Sequence, residues 1–240
     1  MVRPRVEPLG FGWYLSCKTA MDFVMAAVLL ILAAPVILIS AALVRATSRG
    51  SSFYTQTRVG RDGRLFTIFK IRTMVHDCES LSGPRWSIPG DPRITRIGQF
   101  LRATHLDELP QLVNVLRGEM SLIGPRPERP EFTAKLERAL PAYPERLRVR
   151  PGVTGLAQVH LPGDTSLASV RVKLAHDLFY IQQLSPALDI RILFCTLLRV
   201  LGVSYESIRR LSGMPNEQVI ERAVQIVMDG GPVWALSQSA

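Results

Sequence analysis

The chain has 240 residues with a formal net charge of +9, and 47% of its residues are hydrophobic. This length suffices for one sizeable core, while the hydropathy exceeds what a soluble domain needs and indicates contact with lipid. The excess of positive charge implies acidic partners, such as nucleic acid, an anionic membrane face or a phosphorylated substrate, and argues against cationic ones.

The N-terminal part of the chain is typical of a membrane-associated segment. Trp13 and Tyr14 lie among basic residues, a composition found at membrane–water interfaces, although a frayed terminus explains the first ten residues equally well. The uncharged run over residues 23–44 is long enough to span the hydrocarbon core, which needs about 20 residues. It is also longer than the apolar region of a cleaved signal peptide, so we expect it to be retained.

A proline in the middle of this run leaves two topologies open. Pro35 removes a helix hydrogen bond and disfavours helical angles at Ala34. Basic residues flank both ends, with Lys18 on one side and Arg45 and Arg49 on the other, so the positive-inside rule favours neither spanning orientation. A helix broken at Pro35 that enters one leaflet and returns would keep both ends in the cytoplasm. A kinked spanning helix fits the sequence equally well.

The next segment predicts a β-hairpin. Asp62 and Gly63 are typical turn residues, and the flanking stretches Phe53–Val59 and Leu65–Ile71 partly alternate between polar and apolar residues, as strands do. Residues 80–92 are rich in Ser, Gly and Pro and predict a loop that could cover a site.

An adjacent pair of carboxylates, Asp107 and Glu108, is the strongest candidate for chemistry. Pro110 fits the first turn of a helix, which would place Asp107 near the N-cap and Gly118 just past the C-terminus. Four apolar residues repeat at helical spacing and predict a buried face: Leu109, Leu112, Val113 and Leu116. Taken alone, the pair is better explained as a helix cap, because carboxylates are favoured at that position.

Basic residues around the pair strengthen the functional interpretation. They are Arg93, Arg96, Arg102, Arg117 and Arg126, joined by Lys70 and Arg72 on one face of the second predicted strand. Guanidinium groups bind phosphate through two parallel hydrogen bonds, and carboxylates bind divalent metals, so this composition suggests a site for a multiply charged anion and a metal. A salt-bridged surface helix is the alternative.

The rest of the chain predicts helices and one turn-rich stretch. Helices are expected at residues 129–143, 170–184, 188–201 and 216–228. Ser185 and Pro186 form an N-cap and first helical residue before the third of these, which would pack in the core or lie on the bilayer. Residues 146–160 predict a loop with a short strand.

Taken together, these motifs resemble a known family. The segments KTAMDFVMAAVLLILAAP, TRVGRDGRLFTIFKIRTM, DPRITRIGQFLRATHLDELPQLVNVLRGEMSLIGPRPE and RPGVTGLAQV occur in this order. The chain thereby resembles the bacterial sugar transferases, monotopic phosphoglycosyl transferases that start glycan assembly on a polyprenyl phosphate carrier. The resemblance covers about residues 17–202.

The resemblance implies a mostly helical α+β fold. It comprises a membrane-inserted re-entrant helix hairpin broken at Pro35 and a small cytoplasmic catalytic domain with a β-hairpin and amphipathic interfacial helices. The implied division is an interfacial segment and membrane helix at residues 1–47, the catalytic domain at residues 48–202, and a C-terminal extension at residues 203–240. The expected location is the cytoplasmic face of the bacterial inner membrane.

The implied reaction transfers a sugar 1-phosphate from a nucleoside diphosphate sugar, expected to be a UDP-sugar, to undecaprenyl phosphate. It would proceed through a covalent phosphosugar–aspartate intermediate. The product would initiate exopolysaccharide, O-antigen or glycoconjugate synthesis. Asp107 would be the nucleophile, with Glu108 as its catalytic partner and the ligand of Mg²⁺. The implied substrate-binding residues are Lys70, Arg72, Arg102, Arg126 and Gln158. The family implies no nucleic-acid partner, and homo-oligomerisation stays open.

Two departures from the family pattern bear on these expectations. Ala34 stands where a serine usually precedes the helix-breaking proline, and Leu156 stands where relatives commonly have tryptophan. A competing hypothesis is a non-catalytic, membrane-anchored module whose basic face binds anionic lipid or nucleic acid. It predicts that Asp107 is dispensable.

Overall fold

A computed structural model describes residues 12–80, 83, 85–88, 90–163, 166–211, 218–220, 222 and 225. Within these, the chain is mostly helical. The α-helices are α1 Gly12–Thr47, α2 Arg96–Ala103, α3 Leu112–Leu116, α4 Pro130–Ala139, α5 Leu156–His160, α6 Leu167–Gln182, α7 Pro186–Val200 and α8 Tyr205–Leu211. The strands are β1 Phe53–Val59, β2 Leu65–Ile71, β3 Ser121–Ile123 and β4 Gly152–Thr154, and 3₁₀ helices cover Arg61–Gly63, Leu106–Gln111 and Tyr143–Arg148.

The predicted β-hairpin is confirmed. Strands β1 and β2 pair antiparallel from Phe53 opposite Ile71 to Val59 opposite Leu65. The connecting turn contains Asp62, which adopts a left-handed φ of 54°. A second small sheet pairs β3 with β4 in parallel, so it joins the segment after α3 to the stretch before α5.

Helix α1 runs without interruption through Pro35, so the predicted break into two helices is not confirmed. The helix stays continuous because only the hydrogen bond that Pro35 cannot donate is lost, while the apolar residues on either side continue the same helical path. Within the described chain, α1 is the one helix long and apolar enough to cross a membrane, by length and composition.

The two ends of α1 are buried against the rest of the protein, whereas no residue from 27 to 36 is fully buried. Within each end the buried residues recur mainly every three or four positions: Tyr14, Lys18, Asp22 and Ala26, then Ile37, Ser40, Ala41 and Val44. The other faces expose large apolar side chains, among them Ile31 (74% exposed) and Leu38 (67%). Helix α1 therefore carries one face that packs on the protein and a broad apolar surface that does not.

Both ends of α1 contact the same folded body. Near the start, Lys18 Nζ lies 2.7 Å from Asp189 Oδ2 on α7. Near the end, Val44 packs with Ile71 of β2 and Leu101 of α2. The start of α1 thus packs in the main hydrophobic cluster, through Tyr14 and Ala26, and its end packs in a smaller separate cluster.

The helix predicted to start at Asp107 has a different form. A six-residue 3₁₀ helix begins at Leu106, with His105 rather than Asp107 at the N-cap, and α-helix follows only from Leu112 to Leu116. Pro110 explains the change, because it cannot donate the backbone hydrogen bond that an α-helix would need there. Gly118 follows the end with a φ of +72°, as predicted.

This change of helix type also alters the buried face. Of the four apolar residues predicted to form it, only Leu112 is fully buried, and the other fully buried positions in Leu106–Leu116 are Asp107, Pro110, Gln111, Asn114 and Val115. A 3₁₀ helix has three residues per turn, so a spacing read from α-helical periodicity selects the wrong positions.

The C-terminal half follows the predicted helices, with two differences. Helices α4, α6 and α7 lie where the pattern places them, and Ser185 caps α7 by accepting a hydrogen bond from the Leu188 amide. The differences are α5, since Leu156–His160 had been expected to remain in a loop, and α8, Tyr205–Leu211, for which no helix had been predicted. Most of the helix predicted over residues 216–228 lies outside the described residues.

Candidate active site

The two adjacent carboxylates, Asp107 and Glu108, differ in their pairing: Lys70 and Arg126 bind Glu108 directly and do not bind Asp107. Glu108 is bound from two sides: Lys70 Nζ donates to its Oε1 at 2.6 Å, and Arg126 donates from Nη2 to Oε1 at 2.6 Å and from Nη1 to Oε2 at 3.2 Å. Burial alone would raise the pKa of Glu108, but the charges and hydrogen bonds of Arg126 and Lys70 outweigh it and hold the pKa well below its ordinary value. Glu108 is therefore ionised and paired with two cations, and its Oε2 accepts only the longer bond from Arg126.

Asp107 is buried beside this cluster without such pairing. It is 7% exposed, and none of the described residues donates a hydrogen bond to its carboxylate. Burial and then the negative charge of Glu108 raise its pKa, while Lys70, Arg102 and Arg126 oppose the rise. A carboxylate with unused lone pairs, surrounded by cations that bind its neighbour, is suited to attack an electrophile that those cations attract.

The backbone before the pair has an unusual conformation. His105 adopts a left-handed φ of 57°, which is uncommon for a residue other than glycine. The Glu108 amide donates to the carbonyl oxygen of His105 at 3.2 Å, closing the turn in which both carboxylates are presented. Such conformations persist where the surrounding structure maintains them, often at functional sites.

Asn114 fixes the distance between the carboxylates and Lys70, and the sequence analysis had not selected it. Asn114 is fully buried on α3; its Nδ2 donates to the Thr67 carbonyl oxygen at 2.7 Å, and its Oδ1 accepts from the Phe69 amide at 3.2 Å. It thereby ties α3 to the edge of β2 on either side of Ile68. A lone polar residue inside an apolar helix pattern was the signal that could have identified it.

Arg126 is positioned through its backbone by a second buried pair that the sequence analysis missed. Arg146 Nη2 donates to the Arg126 carbonyl oxygen at 2.8 Å, while the same guanidinium binds Asp177 at 2.7–2.9 Å and the Tyr143 hydroxyl at 2.8 Å. The partners lie on different helical segments, so nothing local in the sequence connects them. The Arg126 side chain itself is 45% exposed and can reach a ligand from solvent.

The other predicted substrate-binding residues divide between the site and elsewhere. Arg102 lies near Asp107, and its Nε and Nη1 donate to Thr73 and Ser87. Arg72 instead donates to Ser48 and to the Ser51 carbonyl oxygen at 2.5 Å, where it closes the turn after α1. The structure thus places Arg72 outside the carboxylate cluster.

Three further arginines that were predicted to surround the carboxylate pair also have other partners or face solvent. Arg93 pairs with Asp91 at 2.6 Å, Arg96 is exposed on α2, and Arg117 lies over the Phe69 ring at 4.8 Å from its centroid. Lys70, Arg102 and Arg126 are therefore the predicted cations that the structure brings to the carboxylates.

Gln158 lies on α5, in the wall of a cavity that Arg126 also lines. Its Nε2 donates to the Val153 carbonyl oxygen at 3.0 Å, whereas its buried Oε1 has no hydrogen-bond partner within the described chain. The two carboxylates do not line this cavity, so Gln158 is separated from them by Arg126.

The donor set fits a divalent cation held jointly with a ligand. No cluster of three or more metal-binding side chains occurs among the described residues, which argues against a closed protein cage. Mg²⁺ is commonly bound by one or two carboxylates together with substrate phosphates, and Asp107 and Glu108 offer such a pair. Burial and then the charge of Glu108 raise the pKa of Asp107, and a bound cation would offset the repulsion between the two carboxylates.

The chain is similar to known proteins over most of its length. The family described as bacterial sugar transferase matches residues 13–203, which is most of the chain. The chain is 40% identical over 188 residues to the UDP-N-acetylgalactosamine-undecaprenyl-phosphate N-acetylgalactosaminephosphotransferase of Aeromonas hydrophila, covering 78% of this chain and 44% of the relative. It is 41% identical over 194 residues to the undecaprenyl-phosphate glucose phosphotransferase of Komagataeibacter xylinus, covering 78% and 36%.

A shorter relative aligns over nearly its whole length. The exopolysaccharide production protein PSS of Rhizobium leguminosarum bv. phaseoli is 41% identical over 187 residues, which covers 76% of this chain and 94% of the relative. The chain thus spans less than half the length of the first two relatives and almost all of the third.

Proposed function

Because the chain belongs to the bacterial sugar transferase family, we propose that it transfers a sugar 1-phosphate from a UDP-sugar to undecaprenyl phosphate and so initiates polysaccharide synthesis. Two of the relatives are named for such a transfer, one with N-acetylgalactosamine and one with glucose. The observation that carries the proposal is the unequal carboxylate pair. Glu108 is bound by Lys70 and Arg126, while Asp107 next to it is buried and accepts no hydrogen bond from a described residue.

In the first step, an oxygen of Asp107 attacks the phosphorus that bears the sugar. A bond forms between this oxygen and phosphorus, and the bond from phosphorus to the bridging oxygen of the diphosphate breaks, so UMP leaves with that oxygen. Lys70, Arg102 and Arg126 surround the place where negative charge develops, and Arg126 can offer its fork of donors to the phosphate oxygens.

In the second step, an oxygen of undecaprenyl phosphate attacks the same phosphorus. The bond to Asp107 breaks, the carboxylate is regenerated, and the product is undecaprenyl diphosphate sugar. Two sequential displacements allow a soluble nucleotide and a membrane lipid to use one site in turn. The raised pKa of Asp107 favours the first step, because a more basic carboxylate is a stronger nucleophile. In the second step, Lys70, Arg102 and Arg126 stabilise the negative charge that returns to Asp107.

Mg²⁺ is part of the proposal, with Glu108 as its principal protein ligand and Asp107 beside it. When bound, the ion would neutralise charge on the phosphate oxygens and act as a Lewis acid. Lys70 and Arg126 both contact Glu108 Oε1, so they set the orientation of this carboxylate before any ligand arrives.

For the membrane, we propose that both ends of α1 face the cytoplasm, with the catalytic part on the inner membrane. Lys18 near the start and Val44 near the end contact the same folded body, and a helix that carried its N-terminus across the bilayer would separate Lys18 from Asp189. The exposed apolar faces of α1 then meet lipid on one side of this body.

The decisive test replaces the nucleophile. We expect Asp107→Asn to abolish the release of UMP, the formation of lipid-linked sugar and the covalent phosphosugar adduct seen by intact-protein mass spectrometry, because an amide is a far poorer nucleophile than a carboxylate. The assay uses detergent-solubilised full chain with Mg²⁺, undecaprenyl phosphate and a panel of labelled UDP-sugars.

The matched control is Asp62→Asn in the exposed hairpin turn, which should keep full activity. Activity that survives in Asp107→Asn would contradict the assigned nucleophile and support the non-catalytic module instead. A wild-type protein that releases no UMP from any UDP-sugar would contradict the transferase function itself.

A further inference from the structure

Helix α7 ends with an arginine that the two displacement steps do not use. Arg199 lies in the last turn of α7. Three residues before it, the Thr196 hydroxyl lies 2.7 Å from the Thr154 hydroxyl on β4. The Thr154 carbonyl oxygen accepts from the Gly124 amide at 2.9 Å, and Gly124 is two residues before Arg126. The end of α7 is therefore joined through β4 to the segment that carries the partly exposed cation of the active site.

Residues that follow α7 hold the guanidinium group of Arg199. Its Nη1 donates to the Val203 carbonyl oxygen at 2.6 Å, and its Cζ lies 3.7 Å from the centroid of the Tyr205 ring. The face of an aromatic ring attracts a cation, so Tyr205 restricts where the Arg199 side chain can point. Tyr205 begins α8 and lies beyond residue 203, where the match to the family ends. The C-terminal extension therefore supplies a side chain that fixes Arg199.

Helix α8 is itself anchored in the core of the domain. Ile208 is fully buried and belongs to the main hydrophobic cluster, together with Leu156 and Val159 of α5. Helix α8 packs against both α5 and α7. Tyr205 thus belongs to a helix whose position next to α7 is set by core packing, and it can hold Arg199 in one place.

Arg199 keeps hydrogen-bond donors available for an anion. Among the described residues none accepts a hydrogen bond from its Nε or Nη2, and neither atom is enclosed. The charge of Arg199 also reaches the carboxylate site. Lost hydration lowers the pKa of His105, and the charges of Arg126 and Arg199 lower it further, while Glu108 opposes them. A cation with free donors beside an anion site is suited to attract phosphate.

We propose that Arg199 is a further cation of the active site that attracts the phosphate groups of the substrates, and that Tyr205 in the C-terminal extension is its positioning residue. This inference rests on the proposed function, because the UDP-sugar and undecaprenyl phosphate are both anions that must reach the same carboxylate pair. It assigns the extension a role in substrate binding. A charge attracts its substrate before contact, so the effect belongs in KM and decreases with salt.

The first test removes the charge of Arg199. Arg199→Met keeps a similar length, and initial rates of UMP release are measured with detergent-solubilised full chain and Mg²⁺ while each substrate is varied in turn. At an ionic strength of about 0.1 M, where the Debye length is roughly 10 Å, KM for at least one substrate should rise about threefold or more, with kcat within about twofold. At about 1 M, where this length is roughly 3 Å, the KM values of variant and wild type should agree within about twofold.

The two substrates distinguish the source of the phosphate. A rise in KM for the UDP-sugar assigns Arg199 to the diphosphate, and a rise for undecaprenyl phosphate alone assigns it to the lipid carrier. Arg191→Met is the matched control, because it removes the same charge from the exposed face of the same helix and should keep the KM values of wild type.

The second test concerns Tyr205. Tyr205→Leu should raise the same KM as Arg199→Met does, whereas Tyr205→Phe keeps the ring and should behave as wild type. In the double variant Tyr205→Leu/Arg199→Met, KM should be no higher than in Arg199→Met alone, because Tyr205 acts through Arg199. A general loss of packing at α8 would instead add to the effect of Arg199→Met and would contradict the positioning role.

The outcomes separate this inference from the transferase function. If wild-type protein makes lipid-linked sugar and Arg199→Met keeps both KM values, or Arg191→Met raises them equally, the inference is overturned and the function stands. A rise in KM that persists at high salt would reflect a packing defect and would also overturn the inference.

If wild-type protein releases no UMP from any UDP-sugar, the proposed function fails, and a binding measurement decides the inference by itself. Inorganic pyrophosphate is titrated with Mg²⁺ into wild type and Arg199→Met by isothermal titration calorimetry. The variant should bind it about threefold or more weakly. Equal affinities would overturn the role of Arg199.

Discussion

At the scale of single residues, Arg126 is the partly exposed cation of the proposed catalytic site. Its two nitrogens contact both oxygens of Glu108, a geometry that the single ammonium group of lysine cannot reproduce. We expect Arg126→Lys to lower kcat/KM for the UDP-sugar by about 10- to 100-fold, the range typical of losing one charge-assisted hydrogen bond at a phosphate. Initial rates of UMP release measure this directly.

Arg96→Lys serves as the control for Arg126→Lys, because Arg96 is exposed on α2 and has no assigned partner in the site. Its rate should match that of wild type. If both variants were equally active, the bidentate contact of Arg126 would have no catalytic consequence.

A second prediction at this scale concerns His160, which is 1% exposed at the end of α5. Burial, followed by the charges of His176 and Arg209, lowers the pKa of His160 to about 4. Because the folded pKa lies below the ordinary value of 6.5, folding favours neutral His160; this stability is fully present above pH 6.5 and is lost as the pH falls toward 4.

Between pH 7 and pH 5, His160 should therefore remove roughly 2 kcal/mol from the free energy of unfolding. His160→Leu should lose less stability than wild type over this interval, as measured by chemical denaturation at both pH values. Gln183→Leu, which removes no titratable group, provides the control and should leave the pH dependence unchanged. Parallel pH profiles for wild type and His160→Leu would contradict the argument.

At the scale of elements, the path of α1 is open to a direct experiment. The helix has 36 residues and would extend about 54 Å if straight, well beyond the roughly 30 Å hydrocarbon core. We expect Trp13→Cys and Ser51→Cys, each in a background lacking the three native cysteines, to resist a membrane-impermeant maleimide in intact cells. Both should react after permeabilisation, because both ends pack on the same body.

Labelling of Trp13→Cys in intact cells would contradict this topology and favour a spanning helix. Ser51→Cys is the internal comparison, since it lies in the exposed turn that leads into the catalytic part. Labelling of both positions before permeabilisation would show that the cells were leaky.

At the scale of the whole molecule, a buried network joins the membrane helix to the domain core. Asp189 is 5% exposed and accepts hydrogen bonds from the Tyr14 hydroxyl at 2.6 Å, Lys18 Nζ at 2.7 Å and the Tyr180 hydroxyl at 2.9 Å. Asp189→Ala would leave the buried Lys18 ammonium with only the longer ion pair to Asp22, at 3.7 Å, and would remove the acceptor of the Tyr14 hydroxyl. Breaking a buried ion pair by removing one partner typically costs about 3–5 kcal/mol. We expect a marked fall in the thermal unfolding midpoint in detergent.

Glu137→Ala on the exposed face of α4 is the control for Asp189→Ala and should leave that midpoint within about a degree or two, since surface substitutions usually change stability by less than about 0.5 kcal/mol. An equally small change for Asp189→Ala would mean that the network adds little to the attachment of α1.

Local features of the protein were predictable from its sequence. The hairpin strands, the end of the helix at Gly118 and the cap of α7 at Ser185 depend on residues that are close in the chain, where turn chemistry and capping act directly. The carboxylate pair was also evident, since Asp107 and Glu108 are adjacent and the surrounding motifs resemble one family, whose match covers residues 13–203.

The tertiary structure alone decided which charges meet. Lys70 and Arg126 reach Glu108 across 38 and 18 residues of sequence. Arg72 instead binds the turn after α1, 21 residues away at Ser51, and Arg93 binds Asp91 in its own loop. The number of basic residues near the carboxylates does not predict which of them bind the carboxylates, because the partner of a long side chain depends on how distant elements pack. For the same reason, the sequence determined that a carboxylate pair exists, and only the fold distinguished its paired member from its unpaired one.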